Sequence, residues 1–320
     1  MRLIITILTI WFFYMFYADQ WYLYLTNYFI AVTMLVGSFI AGASSEGGGA
    51  IAFPVMTLIY QIPPEVARNF SLGIQSIGML CASNFIIRKG IPIEKKYLLL
   101  ACSGGAIGII LGTHLFSNNV SAPYIKMLFF SIWLSFAFVL FYLNHINKRQ
   151  VVCILPPIDR YEQFSIIIIG FIGGILTSIT GSGIDIMTFS YVTMRYKLSE
   201  KVATPTSIII MTVNSIIGFL IHFLYQHDFG AEEFNYWLVS IPVVIFGAPL
   251  GAFVISKLNR FYIAGGLYII IVVQFIGAWI VIKPDAKLCM FSLGVFISGI
   301  VFFLISGRTI SISKIFKRDP

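Results

Sequence analysis

The sequence has few charged residues and a large excess of apolar ones. Charged residues make up 11% of its 320 positions and hydrophobic residues 58%, whereas an ordinary soluble domain is about 25% charged. Several apolar stretches reach the ~20 residues that a helix needs to cross a bilayer. This composition excludes an ordinary soluble domain and predicts an all-α polytopic protein of the cell (plasma or inner) membrane.

Other absences exclude further classes of function. The four cysteines and four histidines show neither disulfide nor zinc spacing, and there is no P-loop, nucleophile elbow or dinucleotide fingerprint. We therefore predict no enzyme, no catalytic residue, no metal and no cofactor. The net charge of +8 is concentrated in short loops and the C-terminus, which indicates membrane topology rather than nucleic-acid binding.

Eight full crossings are expected, and the basic loops orient them. Segments rich in lysine and arginine lie on the cytoplasmic side of a membrane. In this sequence such segments follow the second, fourth, sixth and last spans. Both termini are then cytoplasmic. The spans are predicted near residues 3–20, 66–87, 97–116, 122–143, 202–225, 235–255, 261–281 and 286–306.

A faint internal repeat relates the two halves of the chain. Residues 37–71 match 173–207 at a constant offset, with eight identical pairs in 35 positions. The loop charges place the two copies in opposite orientations, which is the inverted repeat of secondary transporters. The predicted units are an N-terminal transmembrane helix (1–25), repeat 1 (26–145), a cytoplasmic linker (146–163), repeat 2 (164–282), and the last helix with a basic tail (283–320).

Each copy contains two short apolar arms around a break that contains glycine. The arms are 30–43 and 50–60 in the first copy, and 166–179 and 186–196 in the second. Two half-length arms predict a re-entrant helical hairpin, and irregular backbone at membrane depth is tolerated only when it is buried in protein or lines a watery cavity. The glycines of the third span, by contrast, have the spacing of tight helix packing.

Helix N-termini and hydroxyl groups at the two breaks favour a small anion as substrate. Unpaired N–H groups and the positive end of the helix dipole attract negative charge, and glycine lets a ligand approach the backbone closely. The predicted substrate-binding residues come from the breaks and the helices that follow them: Ser44, Ser45, Gly47, Gly48, Gly49, Ser71, Gln75, Thr180, Gly181, Ser182, Gly183, Ser207 and Asn214.

Two acidic residues lie at the breaks and have two interpretations. A carboxylate inside an anion site is repulsive unless it is protonated, so Glu46 and Asp185 are candidates for carrying a coupling proton. Alternatively, each acid caps a helix N-terminus. Arg68 is expected to form a surface ion pair with Glu65, and His222 is expected at the membrane interface.

The first break and the start of the following helix resemble the sulfite exporter TauE/SafE family. The first break reads GASSEGGGAIAFP over residues 42–54, and EVARNFS follows over 65–71; the second copy has TGSG at 180–183 and VATPTS at 202–207. The resemblance covers roughly residues 30–280. It implies a multi-pass permease for sulfur-containing or organic anions such as sulfite, sulfoacetate or taurine-related compounds.

These observations predict a secondary transporter that moves a small anion by alternating access, with proton coupling as a hypothesis. Two alternatives stay open: a passive anion channel, and a cation- or proton-linked carrier that binds its cation through Glu46 and Asp185. The expected partners are the small anionic substrate and the lipid bilayer, with no nucleic acid. Both a monomer and a homo-oligomer are compatible with the sequence.

Overall fold

The structure is a computed structural model that describes residues 2–45, 47, 49–116, 121–146 and 151–306, leaving out the side chains of 49, 50 and 260. These residues form thirteen α-helices and no β-strand. The helices are α1 Arg2–Tyr17, α2 Leu23–Thr26, α3 Tyr28–Ala43, α4 Gly49–Pro54, α5 Pro64–Arg88, α6 Lys95–Phe116, α7 Ala122–Phe141, α8 Arg160–Thr180, α9 Ile184–Arg195, α10 Glu200–Leu220, α11 Ala231–Lys257, α12 Arg260–Ile282 and α13 Ala286–Ser306. Helices α4, α7 and α10 are extended by short π-helical turns, Val55–Ile59, Tyr142–Ile146 and Ile221–Tyr225.

Eight of these helices are long and apolar enough to cross a membrane: α5, α6, α7, α8, α10, α11, α12 and α13. The number agrees with the sequence prediction, but the membership differs. The helix predicted at 3–20 is α1, which has only 16 residues and falls short of the ~20 needed to span a bilayer. In its place α8, expected as a short arm, is long enough to cross.

Helix α8 is longer than predicted because a capping box starts it early. The Asp159 carboxylate accepts the Glu162 N–H at 2.8 Å, and the Glu162 carboxylate accepts the Asp159 N–H at 3.2 Å. This reciprocal pair satisfies two N–H groups at the helix start. The helix therefore begins at Arg160, ahead of the apolar residues 166–179 from which the short arm was predicted.

Glycines allow two helix pairs, α6 with α8 and α3 with α11, to pack with their backbones in contact. A Cβ on Gly104 or Gly108 of α6 would overlap a backbone carbonyl of α8, and a Cβ on Gly42 of α3 would overlap the Ala248 carbonyl of α11. Small residues are the usual means by which membrane helices approach this closely. The prediction that the glycines of α6 serve helix packing is confirmed.

Helix α9 ends beside the linker that leads into α8. Val152 of the linker donates its N–H to the Lys197 carbonyl at 2.9 Å and accepts the Ser199 N–H at 2.8 Å. The same linker reaches the loop between α5 and α6, where Glu94 accepts the Leu155 N–H at 2.8 Å. The start of α8, the end of α9 and the end of α5 therefore lie at one face of the protein.

The centre of the bundle is formed by α5 and α10, which pack against each other. Both are lined with buried polar groups, and they are joined by a 2.7 Å hydrogen bond between the Ser83 and Thr212 hydroxyls. In contrast, only 17% of the most apolar segment of α12, and the same share of α13, is buried inside the protein. The polar interior lies between central helices, while the peripheral helices present apolar side chains outward.

Candidate functional site

The two breaks, between α3 and α4 and between α8 and α9, meet at Gly47. This glycine is buried, has φ of +70°, and lies so close to the second break that a Cβ would overlap Oδ2 of Asp185. The same Cβ would lie 2.7 Å from Oε1 of Gln75 and 3.2 Å from Oγ of Ser182. Residues distant in the sequence therefore converge on one point, where the first break, the second break and α5 are in contact.

Threonine hydroxyls hold the second break in shape. Gly181 ends α8 with φ of +76° and donates its N–H to the Thr177 carbonyl at 2.8 Å. Thr177 also accepts the Ile184 N–H through its hydroxyl at 2.9 Å. Thr180 donates its hydroxyl to the Ser182 carbonyl. The turn between α8 and α9 is thus held by hydrogen bonds within the break itself.

Gln75 of α5 connects this break to the centre of the bundle. Its Nε2 donates to the Gly181 carbonyl at 2.9 Å and to the Ser71 carbonyl at 3.0 Å. Because both partners are acceptors, the amide must be oriented with Oε1 on the side of Gly47 and Asp185. Ser71 also contacts the second break, since its Cβ is 2.9 Å from a Cβ placed on Gly181.

Asp185 is fully buried and its carboxylate is bound to the N-terminus of α9. It accepts the Gly183 and Ile186 N–H groups at 3.0 Å each and the Ser182 hydroxyl at 3.1 Å. A negative charge at this position is favoured by the helix dipole and satisfies N–H groups that the helix cannot pair. The donors at the start of α9 are therefore directed at the protein's own carboxylate.

The remaining predicted residues of the first break are only partly described. Ser44 and Ser45 are buried, and the Ser45 hydroxyl has no hydrogen-bond partner among the described residues. Gly49 begins α4. Glu46 and Gly48 lie outside the described residues.

Ser207 and Asn214 of α10 are buried but have no hydrogen bond to the residues around Gly47 in the described part of the chain. The Ser207 hydroxyl donates to the Thr204 carbonyl of its own helix at 2.9 Å. Among the described residues, neither amide atom of Asn214 has a hydrogen-bond partner; its Nδ2 lies 2.5 Å from a Cβ placed on Gly105 of α6. Asn214 therefore faces α6.

A buried charged cluster beside the second break was missed by sequence reasoning. Arg68 is only 1% exposed and its Nη2 lies 3.7 Å from Oδ2 of Asp228, in the loop before α11. The fully buried His222 contacts the same carboxylate through Nδ1 at 2.8 Å. The expectation of a surface Arg68 was wrong, because the loop carrying Asp228 folds back over it; the interfacial position of His222 stays a prediction.

The electrostatics of this cluster favour a charged Asp228. Burial raises the pKa of the Asp228 carboxyl, but the hydrogen bond from His222 and the charges of His222 and Arg68 outweigh that effect. The pKa of Asp228 is therefore below its ordinary value. The sequence contains one indication of this cluster. Arg68 lies within the first turns of a predicted span, and an ionisable residue in a span usually has a partner or a function.

Comparison with protein families identifies the chain. A family model described as "Sulfite exporter TauE/SafE" matches residues 29–274, a range that includes both breaks and the charged cluster. The chain belongs to this family. Searches of curated proteins and of solved structures gave no match. The resemblance seen in the sequence is thus confirmed, and a TauE/SafE protein with eight span-length helices is a transmembrane permease whose family supports transport of sulfur-containing anions.

Proposed function

We propose that this TauE/SafE permease is a secondary transporter that moves a small anion (sulfite, an organosulfonate or an organic acid) by alternating access. The observation that carries the proposal is the contact of Gly47 in the first break with Asp185 and Ser182 in the second, beside Gln75. Binding sites of secondary transporters are built where broken helices of two repeats meet.

The packing of the helices supports an inverted repeat. The five helices α3 to α7 correspond in order to α8 to α12, and the second helix is the shortest in each set, with 6 residues in α4 and 12 in α9. At the offset of the sequence repeat, Gly42 corresponds to Ser178 and Ala248 to Gly112. Gly42 packs on Ala248, and Ser178 packs on Gly112. Each contact therefore joins one repeat to the other, and the two contacts are equivalent when the repeats are exchanged, as a two-fold axis requires. The opposite membrane orientation rests on the loop charges.

The breaks also have the surroundings that re-entrant hairpins require. Helix α9 has 12 residues, too few to cross a bilayer, and it ends beside the linker that leads into α8. Gly47, Gly181 and Ser182 are all buried in protein, as irregular backbone at membrane depth must be. We therefore assign the α3–α4 and α8–α9 pairs as hairpins.

Donors for the anion come from the first break and α5 in this proposal. The start of α9 already holds the Asp185 carboxylate. The hydroxyls of Ser45 and Ser71 are buried and have no partner among the described residues. Buried hydroxyls are nearly always hydrogen-bonded, so these two are the groups best placed to donate to the oxygens of a bound anion.

Asp185 is the residue through which a proton would be coupled. An anion bound near Gly47 and the Asp185 carboxylate repel each other in a poorly hydrated interior, and protonation of the acid removes the repulsion. Binding of anion and proton would then be mutually favourable. Glu46, the other acid of the breaks, is the second candidate from the sequence.

Flux measurements on the purified protein test the proposal. Radiolabelled sulfite, sulfate, sulfoacetate and acetate would be offered to proteoliposomes with and without a pH gradient. Saturable accumulation above equilibrium, driven by the gradient, is expected. Flux that never exceeds equilibrium would favour the passive channel, and folded protein without anion flux would favour the cation-linked carrier.

Asp185→Asn separates coupling from capping. Asparagine keeps an acceptor for the α9 N–H groups but cannot exchange a proton, so we expect gradient-driven accumulation to be lost while exchange of labelled for unlabelled anion continues. Asp159→Asn, the same change at the exposed cap of α8, is the matched control and should leave accumulation intact. Accumulation that survives in Asp185→Asn would show that Asp185 only caps its helix.

A further inference from the structure

The charged cluster of Arg68, Asp228 and His222 adjoins the proposed anion site. Arg68 precedes Ser71 by one helical turn, and its Cα and carbonyl oxygen lie 3.1 and 3.0 Å from a Cβ placed on Gly181. The backbone of Arg68 is therefore in contact with the second break. It lies towards the N-terminal end of α5, the end opposite to the one near the linker.

Arg68 donates through Nε to Asn69 Oδ1 at 3.0 Å, and Asp228, the carboxylate beside its Nη2, is held more closely by another residue. Asp228 is 3.7 Å from the guanidinium but 2.8 Å from His222 Nδ1, and the Asp228 N–H donates to the His222 carbonyl at 3.2 Å. A charge-assisted hydrogen bond between an arginine and a carboxylate is normally about 2.7–2.9 Å long. The Arg68–Asp228 contact is a looser ion pair, in which attraction remains but the short bond is not formed.

A buried guanidinium needs a negative partner, yet Asp228 need not be that partner at every stage. Leaving Arg68 without any anion is costly in a poorly hydrated interior. The Asp228 side chain is 32% exposed, so the cluster opens towards solvent on that side. The planar fork of arginine suits two oxygens of one oxyanion, and an arriving oxyanion can take over the position that the loose carboxylate now occupies.

We propose that Arg68 forms an anion-binding subsite, at which an oxyanion with two or more oxygens replaces Asp228 while His222 retains the displaced carboxylate. A sulfite, a sulfonate or a carboxylate has the required shape and charge. This inference rests on the proposed anion transport. It adds a site that binds the anion first, on its way from solvent to the breaks. Asp228 then acts as a competitor that fills the subsite when substrate is absent.

The decisive variant is Asp228→Asn, because competition and structural support predict opposite results. Asparagine can still accept from His222 but no longer competes for Arg68 by charge. We expect KM for sulfite added at this face to fall by roughly threefold to tenfold, with kcat little changed. Arg68→Lys, which keeps the charge but loses the fork, should raise KM. Asp19→Asn, at an exposed loop residue with positive φ that asparagine tolerates, is the control.

Thermal unfolding with added anion gives a readout that does not require transport. Asp228→Asn removes one negative charge from beside the buried Arg68, so the unfolding temperature of the variant should be lower than that of the wild type. Sulfite should raise that temperature more in the variant than in the wild type or in Asp19→Asn, and chloride at equal ionic strength should raise it less than sulfite. If Asp228 had only a structural role, the unfolding temperature of Asp228→Asn would fall and sulfite would not restore it.

The outcomes distinguish this inference from the proposed function. Wild-type flux together with an unchanged or higher KM in Asp228→Asn would overturn the subsite and leave the transporter proposal standing. A wild type without anion flux would overturn the transporter proposal. In that case the sulfite-dependent stabilisation of Asp228→Asn would decide the subsite by itself.

Discussion

At the scale of single residues, Gly47 determines how closely the two breaks approach. Its φ of +70° lies in the region that costs other L-residues about 1–2 kcal/mol, and the space of a Cβ is taken by the Asp185 carboxylate. Glycine is therefore required twice here, for backbone conformation and for contact. Flexibility at the break could be predicted from the sequence, but the partner could not, because Asp185 comes from a segment far along the chain.

Gly47→Ala tests this contact. We expect at least a tenfold loss of anion flux, because the methyl group must push Asp185 or Gln75 away from the point where the breaks meet. Gly90→Ala is the matched control: Gly90 also has positive φ, +64°, but a Cβ there meets nothing within 4 Å. Equal effects of both substitutions on flux would show that only backbone strain matters at Gly47.

At the scale of secondary structure, the glycines of α6 set the distance between α6 and α8. The helical spacing of Gly104, Gly105, Gly108 and Gly112 predicted a packing surface, and the structure places α8 against it. The length of α8 was not predicted. Its first turn is polar and carries the Asp159–Glu162 capping box, so a search for apolar arms overlooked it.

Gly108→Ala should separate the two helices and destabilise the protein. A Cβ there would overlap the Phe171 carbonyl, and overpacking of this kind costs about 1–3 kcal/mol. We expect a lower unfolding temperature in detergent. Gly277→Ala on α12, where a Cβ meets nothing within 4 Å, should leave it unchanged or slightly raised. A tolerated Gly108→Ala would mean that α6 and α8 can separate without loss.

At the scale of the whole molecule, the proposed topology has the two hairpins enter from opposite sides of the membrane. The linker, the end of α9 and the loop before α6 share one face, and the loop charges predict that this face is cytoplasmic. The loop containing Asp228 follows the opposite end of α10. With this orientation, the proposed Arg68 subsite opens to the outside.

Labelling of Cys153 tests this orientation. Cys153 is an exposed free cysteine in the linker, whereas Cys81 is buried and Cys102 and Cys289 are partly buried. A membrane-impermeant maleimide should label Cys153 in inside-out vesicles but not in intact cells. His227→Cys in a Cys153→Ser background should show the reverse pattern, since His227 is an exposed residue of the Asp228 loop. Labelling of Cys153 in intact cells would contradict the predicted topology.

The sequence by itself determined the membrane class, the number of long apolar helices, the positions of the two breaks and the family. These depend on composition and on local patterns, which are readable along one chain. Tertiary structure decided which groups meet: Gly47 with Asp185, Gln75 with Gly181, and Arg68 with Asp228 and His222. Such pairs form only when helices pack, because burial removes water as the alternative partner and makes each polar group seek another.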